Sequence, residues 1–258
     1  MHRLEGRTAL ITGASRGIGR AIACAYAAEG ANLFLTATNA DKLEETREQV
    51  AEHGVEATCH LADLSVPDAV DGMFAAALRW RDGLDIVVNN AGIYIGKPFT
   101  DYDMAEFDRV MKVNVYAVFQ LMQLTLRHMR ERRSGKIVNI ASTAGRWESP
   151  NQAAYNTSKH AVVGMTRCAA LENAALGINV NAICPGFVET DMMGAFEGHA
   201  RALGVSFEEL IAAAKSRVPM GRFLEPEEIA HIAVYLGSGE SDGMTGQAIC
   251  ISGGMRMG

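Results

Sequence analysis

The chain has no apolar run approaching the ~18 residues that cross a bilayer, so no membrane span is expected. It has only five cysteines, at 24, 59, 168, 184 and 250, and none stand in C-x-x-C spacing. An odd, dispersed set excludes a disulfide framework and reads as reduced core thiols in a reducing compartment. The seven histidines form no metal-spaced pair, so no metal site is expected. Positive charge is in deficit: the net charge is −6, and no long Lys/Arg block offers a nucleic-acid footprint. The one basic cluster, RHMRERR at 127–133, reads as the solvated end of a long helix. The N-terminus, MHRLEGRTALITG, enters a strand almost at once, leaving no room for a signal peptide. A cytoplasmic protein is the expectation.

What remains is an ordinary globular composition, 48% hydrophobic and 21% charged over 258 residues. Short apolar runs alternate with helical patterns: strands are predicted at 8–12, 32–37, 56–60, 84–88, 135–141, 178–184 and 247–251. That alternation predicts an α/β fold with a doubly wound parallel sheet and helices on both faces. No repeat, linker or low-complexity tract interrupts it, so residues 1–258 are read as one domain. A segment at about 187–218 falls outside the alternation. It carries Met192, Met193, Phe196 and a helix predicted from Ser206, and it is read as a helical substrate lid.

The first strand runs into Gly13-Ala-Ser-Arg-Gly17-Ile-Gly19 and then an Ala-rich helix stopped by Gly30. Strand, glycine turn and helix N-terminus together suit a dinucleotide pyrophosphate, through close backbone approach, N–H donors and the positive end of the helix dipole. The spacing is G-x-x-x-G-x-G rather than G-x-G-x-x-G. A free ribose 2′-OH calls for an acid at the end of the second strand, yet Thr36, Ala37, Thr38 and Asn39 stand there, with no acid before Asp41. Hydroxyls, with Arg16 as a nearby cation, favour a 2′-phosphate and hence NADP(H), with NAD(H) the alternative. Asp63, after the third strand, is a candidate acceptor for the adenine edge. Small residues at Asn89-Asn90-Ala91-Gly92 allow close approach to a cofactor after the fourth.

The chemistry centres on NIASTAGRWESPNQAAYNTSK, 139–159. The fifth strand delivers Ser142 at its carboxyl end. Tyr155 and Lys159, four residues apart, share a face of a helix predicted over 153–176. A phenol titrates near pH ~10, and a neighbouring ammonium favours the phenolate and lowers that pKa. Ser142 can hydrogen-bond a reacting oxygen beside it. Asn114 lies mid-helix among apolar residues, where it has no propensity reason to be, and is read as a relay member. Gly13, Asn90 and Ser142 all end strands on the edge where open parallel sheets bind ligands.

Together these residues resemble the short-chain dehydrogenase/reductase family over essentially the whole chain. The resemblance is carried by Thr12–Gly19, Asn89–Gly92, Asn114, Ser142, Tyr155-x-x-x-Lys159 and Pro185-Gly186. It implies a single-domain Rossmann fold with a seven-stranded parallel sheet, assembled as a homotetramer. It also implies roles: Tyr155 as acid/base, Ser142 orienting and polarising the substrate oxygen, Lys159 lowering the phenol pKa and holding the nicotinamide ribose, Asn114 anchoring a water relay, and Thr190 binding the carboxamide. The full set of candidate cofactor contacts is Gly13, Ser15, Arg16, Gly17, Ile18, Gly19, Thr38, Asp63, Leu64, Asn90, Ala91, Gly92, Tyr155, Lys159, Pro185, Gly186, Val188 and Thr190. The front end is similar to NADPH-dependent 3-oxoacyl-acyl-carrier-protein reductases, and 158–193 to polyketide ketoreductases. Where aromatic polyketide reductases carry Pro-Gly-Gly after the N-N-A-G turn, this chain has Tyr94-Ile95-Gly96. The lid is similar to those of hydroxybutyrate and polyol dehydrogenases. The expected activity is hydride transfer between NADP(H) and a carbonyl or secondary alcohol, with an apolar substrate wall of Tyr94, Trp147, Phe187, Met192 and Met193. The alternatives are an NAD-dependent dehydrogenase of a small hydroxy acid or polyol, and a noncatalytic dinucleotide sensor.

Overall fold

Along each central strand, successive residues enter opposite cores, which is why the strands read as nearly continuous apolar runs. In the computed structural model, which describes residues 2–81 and 83–256, Ala9, Ile11, Leu33, Leu35, Ile86 and Val88 face one layer. Leu10, Phe34, Val87, Ile137, Val180 and Cys184 face the other. The strands are β1 (Thr8–Thr12), β2 (Asn32–Ala37), β3 (Ala57–Leu61), β4 (Ile86–Asn89), β5 (Gly135–Ile140), β6 (Ile178–Pro185) and β7 (Ala248–Ile251). They pair in parallel in the order β3-β2-β1-β4-β5-β6-β7. The order reverses between β1 and β4, which opens a crevice beyond their carboxyl ends.

Helices α1 (Gly17–Ala28), α2 (Ala40–Ala51) and α9 (Pro226–Gly237) contribute to the first core. Helices α3 (Pro67–Trp80), α5 (Ala117–Arg132) and α6 (Ala153–Asn173) contribute to the second. The predicted helix over 153–176 ends its α-helical part at Asn173 and finishes as a 3₁₀ turn to Leu176. The arginines of the basic cluster are exposed at the end of α5, with Met129 between them turned into the core. Between α4 (Met104–Met111) and α5 the chain forms a π-helical turn, Lys112–Tyr116, in which Ala117 N–H donates to Lys112 O. The lid contains α7 (Phe196–Leu203) and α8 (Phe207–Ser216), the latter opened by a Ser206–Glu209 capping box. It has its own small core of Ala214, Val218 and Phe223 with Phe187, Met193 and Ile211.

The cysteines are all free, but only Cys184 is buried, and Cys168 lies exposed on α6 rather than in the core. Its position follows the helix: Arg167 beside it is also exposed, while Ala169 and Ala170 turn inward. Among the described residues no helix is long and apolar enough to cross a membrane.

Candidate active site

Three strand ends are stitched together before any ligand is considered. Thr12 Oγ1 accepts from both Asn90 N and Ala91 N at 3.0 Å. Asn90 Nδ2 returns the link to Thr12 O at 2.9 Å and Gly13 O at 3.1 Å. Asn89 and Asn139, opposite one another in register, are joined by a 2.8 Å bond between buried amides, and Asn139 donates onward to Thr166 at 2.9 Å. These bonds hold the glycine turn, the Asn90 turn and the start of the Ser142 loop in fixed relation. Gly13 has φ +65, and a Cβ there would lie 2.9 Å from Ala91 Cα, so the turn tolerates no side chain. A Cβ on Gly19 would overlap Gly13 O, so the glycine lets α1 start against the turn.

The cleft above these ends encloses about 910 Å³. It is lined by Gly13, Ser15, Arg16, Gly17, Ile18, Thr38, Asp63, Leu64, Asn90, Ala91 and Gly92. Ser142, Tyr155, Lys159, Pro185, Gly186, Val188 and Thr190 line it too. Of the predicted site residues, Gly19 and Asn114 do not line it. Gly19 has the packing role above. Asn114 sits behind the wall and is fully engaged: its Oδ1 accepts from Ile93 N at 2.9 Å, and its Nδ2 donates to Ile93 O at 2.9 Å and Ser158 Oγ at 3.1 Å. Ser158 in turn donates to Tyr155 O at 2.7 Å. The buried Asn side chain thus ties the strand-four loop to the helix turn that carries Tyr155.

Ser142 closes the β5 end, where its Oγ accepts from Ala144 N at 3.1 Å and caps a short 3₁₀ turn, Thr143–Gly145. Tyr155 and Lys159 stand one turn apart on α6, with Lys159 Nζ 5.6 Å from the Tyr155 ring centroid. Lys159 is 5% exposed, and its Nζ donates to Ile140 O at 2.9 Å. Burial lowers its pKa from 10.5 to about 8. The phenol is pushed the other way: burial raises Tyr155 to about 12, and a hydrogen bond from Ser142 opposes that rise. The expected lowering of the phenol by Lys159 is therefore not realised here. The ammonium is spent on a backbone carbonyl, and desolvation dominates both groups.

The substrate end is aromatic. All five predicted wall residues line the cleft. The Tyr94 ring meets Tyr155 edge-on at 5.2 Å and Phe196 at 5.1 Å. Tyr94 Oη is 3.0 Å from His199 Nδ1 of α7, a buried histidine that burial holds below its ordinary pKa. Arg256 stacks over Trp147 at 5.2 Å, and Arg146 does so at 5.3 Å. Sequence reasoning missed His199, Arg256 and Lys42. Only Lys42 left a readable signal, as a cation three residues past Asn39, the α2 N-cap that follows the second strand.

At the adenosine end, Thr36, Ala37 and Thr38 line the cleft, and Asp41 does not. The Thr36 hydroxyl is buried without a hydrogen-bond partner among the described residues. Asp63 accepts from Ser65 N at 2.9 Å, which holds its carboxyl below the ordinary range. Arg16 and Lys42 both approach Asp191 of the lid, at 3.4 and 3.3 Å.

A family model described as enoyl-(acyl carrier protein) reductase matches residues 13–256. The chain is 36% identical over 254 residues to the 3-oxoacyl-[acyl-carrier-protein] reductase FabG of Aquifex aeolicus, covering 98% of each chain. It superposes on a Phe-to-Trp variant of actinorhodin polyketide ketoreductase solved with NADPH, with TM-score 0.93, 36% identity and 99% coverage of each chain. A Beutenbergia cavernae protein assigned as an NAD(P)-dependent gluconate 5-dehydrogenase, with NADP bound at low occupancy, gives TM-score 0.91 at 35% identity and 98% coverage of each.

Proposed function

The chain belongs to the short-chain dehydrogenase/reductase family, and from that premise we propose that it interconverts a ketone and a secondary alcohol with NADP(H). The observation that carries this reading is the convergence of Ser142, Tyr155 and Lys159 on the cleft beside the glycine turn. When bound, the dinucleotide supplies or accepts the hydride. Its fit is supported by the glycine turn at the N-terminus of α1, by a cleft volume at the upper end for ligand sites, and by Thr36, a lining residue whose buried hydroxyl has no partner among the described residues.

The chain's own groups handle the proton. With its pKa at about 12 the phenol is protonated at neutral pH, so Tyr155 stands ready as the acid that donates to a forming alkoxide. Ser142 accepts from Ala144 and hydrogen-bonds the phenol, and by turning its O–H to the substrate it stabilises the same oxygen as charge develops. Lys159, with a pKa near 8, can carry charge or release it close to working pH, and it lies where the nicotinamide ribose is expected. Asn114 positions the Tyr155 turn through Ser158.

Cofactor choice rests on the strand-two end. Hydroxyls at Thr36 and Thr38, with Arg16 and Lys42 close by, suit a 2′-phosphate, whereas Asp41 stands off the cleft. The neighbours solved with NADPH and NADP support this choice. An aromatic wall closed by Tyr94, Phe187 and Phe196 favours an apolar acyl or cyclic ketone. One observation favours the NAD-linked hydroxy-acid or polyol reading: Asp191 places a carboxylate beside the same cations. We also take the protein to act as a cytoplasmic homotetramer. The exposed Tyr116 and Phe119, on and beside α5, supply apolar surface for such contacts. A panel of ketones assayed with each reduced cofactor tests the proposal, and tighter binding of NADH than of NADPH by fluorescence titration would reverse the cofactor assignment.

A further inference from the structure

Asp191 opens the 3₁₀ turn with which the lid begins, directly after Thr190. Its Oδ2 meets cations from two other segments: Arg16 NH1 of the glycine turn at 3.4 Å, and Lys42 Nζ of the first turn of α2 at 3.3 Å. Lys42 and Arg16 hold the carboxyl below its ordinary pKa, so it is ionised at neutral pH. The three side chains are 52%, 61% and 45% exposed. Pairs this exposed contribute little to folding and exchange readily with other anions. Arg16 and Asp191 line the cleft together with Thr36, whose hydroxyl has no partner among the described residues, and Lys42 follows the end of the second strand, where no carboxylate lines the cleft.

A phosphate monoester carries about −1.5 to −2 charge and three acceptor oxygens, so it outcompetes one carboxylate for a guanidinium and an ammonium. A free ribose hydroxyl does not. We propose that Asp191 is a displaceable counter-ion that tethers the start of the lid to Arg16 and Lys42 and is exchanged for the 2′-phosphate of the cofactor. This inference rests on the NADP(H) reading of the site and deepens it. It makes Asp191 a cofactor-discriminating residue, and it couples the lid's first turn to which dinucleotide is bound. It also removes the apparent conflict between a carboxylate at this place and a phosphate site.

The test uses two nucleotides that differ only in the 2′-phosphate: adenosine 2′,5′-bisphosphate and adenosine 5′-monophosphate. Each is titrated calorimetrically into wild type, Asp191→Asn and Glu189→Gln. Glu189 is a nearby lid-side carboxylate that pairs with Lys215 at 3.8 Å, so it controls for general loss of negative charge. Removing two exposed pairs should tighten the bisphosphate about three- to tenfold in Asp191→Asn. The monophosphate should be unaffected, and Glu189→Gln should change neither. Limited trypsinolysis reads the tether: Arg201, Lys215 and Arg217 lie in the lid. The bisphosphate, and not the monophosphate, should speed lid cleavage in wild type, while Asp191→Asn should be cut fast without either. An unchanged bisphosphate affinity in Asp191→Asn, or lid cleavage indifferent to the bisphosphate, would overturn the counter-ion role. Equal binding of the two nucleotides by wild type would instead strike the NADP(H) reading, and the comparison of variant with wild type still decides the role of Asp191.

Discussion

Replacing Lys159 by Met should make the protein more stable at neutral pH, and that gain should fade as pH rises. Lys159 is buried, and its pKa in the fold is about 8 against 10.5 for an unhindered lysine. Below pH 8 the folded protein therefore carries a desolvated ammonium whose cost is about 3 kcal/mol. Between about 8 and 10.5 the unfolded chain binds more protons at this site than the fold does, so wild-type stability rises with pH there. Methionine has no charge to lose. The variant also loses the 2.9 Å bond to Ile140 O, but that bond is available to the charged and neutral amine alike and gives a roughly constant offset. Groups away from Lys159 whose pKa values burial raises, such as Cys24 and Cys59, destabilise both proteins alike at high pH and cancel in the difference. Denaturant unfolding of both proteins at pH 7 and pH 10 should show the stability difference, variant minus wild type, shrinking by about 2–3 kcal/mol. A difference that stays constant across that range would refute the desolvated-ammonium argument.

Further outcomes follow from the same geometry. Tyr155→Phe should lower turnover by roughly 10²–10⁴-fold with little change in cofactor affinity, checked by single-turnover rates and fluorescence titration. Asn114→Ala should leave the Ile93 N–H and C=O without their partner and cost about 2–3 kcal/mol by denaturant melt, alongside any loss of activity. Arg16→Ala and Lys42→Ala should each lose much of the preference for NADPH, about three- to tenfold in the ratio of dissociation constants. Ala37→Asp should invert the preference.

The strand ends were readable because parallel strands buried on both faces leave uninterrupted apolar runs, and each run here stops at a small or polar residue: Gly13, Asn90 or Ser142. Tyr155 and Lys159 were readable because helical spacing places i and i+4 together. The sequence signal at Asn114 was a polar residue where a helix gains nothing from it, but its partner, the Ile93 backbone, is 21 residues away. The Asp191 contacts with Arg16 and Lys42 span 175 and 149 residues, and no local pattern announces them. The direction of the Tyr155 shift was misread because spacing reports proximity to Lys159 and not burial. In a desolvated pocket, burial outweighs the neighbour. His199 was invisible for a related reason: its role depends on α7 folding over Tyr94.

Isotope transfer shows whether Tyr155 protonates a ketone oxygen as hydride arrives from NADPH. The protein is incubated with NADPH deuterated at nicotinamide C4, both stereoisomers in turn, and a panel of apolar ketones, and the alcohols are examined by mass spectrometry. Deuterium should appear on the carbinol carbon from one stereoisomer only, with formation slowed by roughly 10²–10⁴-fold in Tyr155→Phe. Deuterium reaching no product, or reaching it as fast without the phenol, would contradict it.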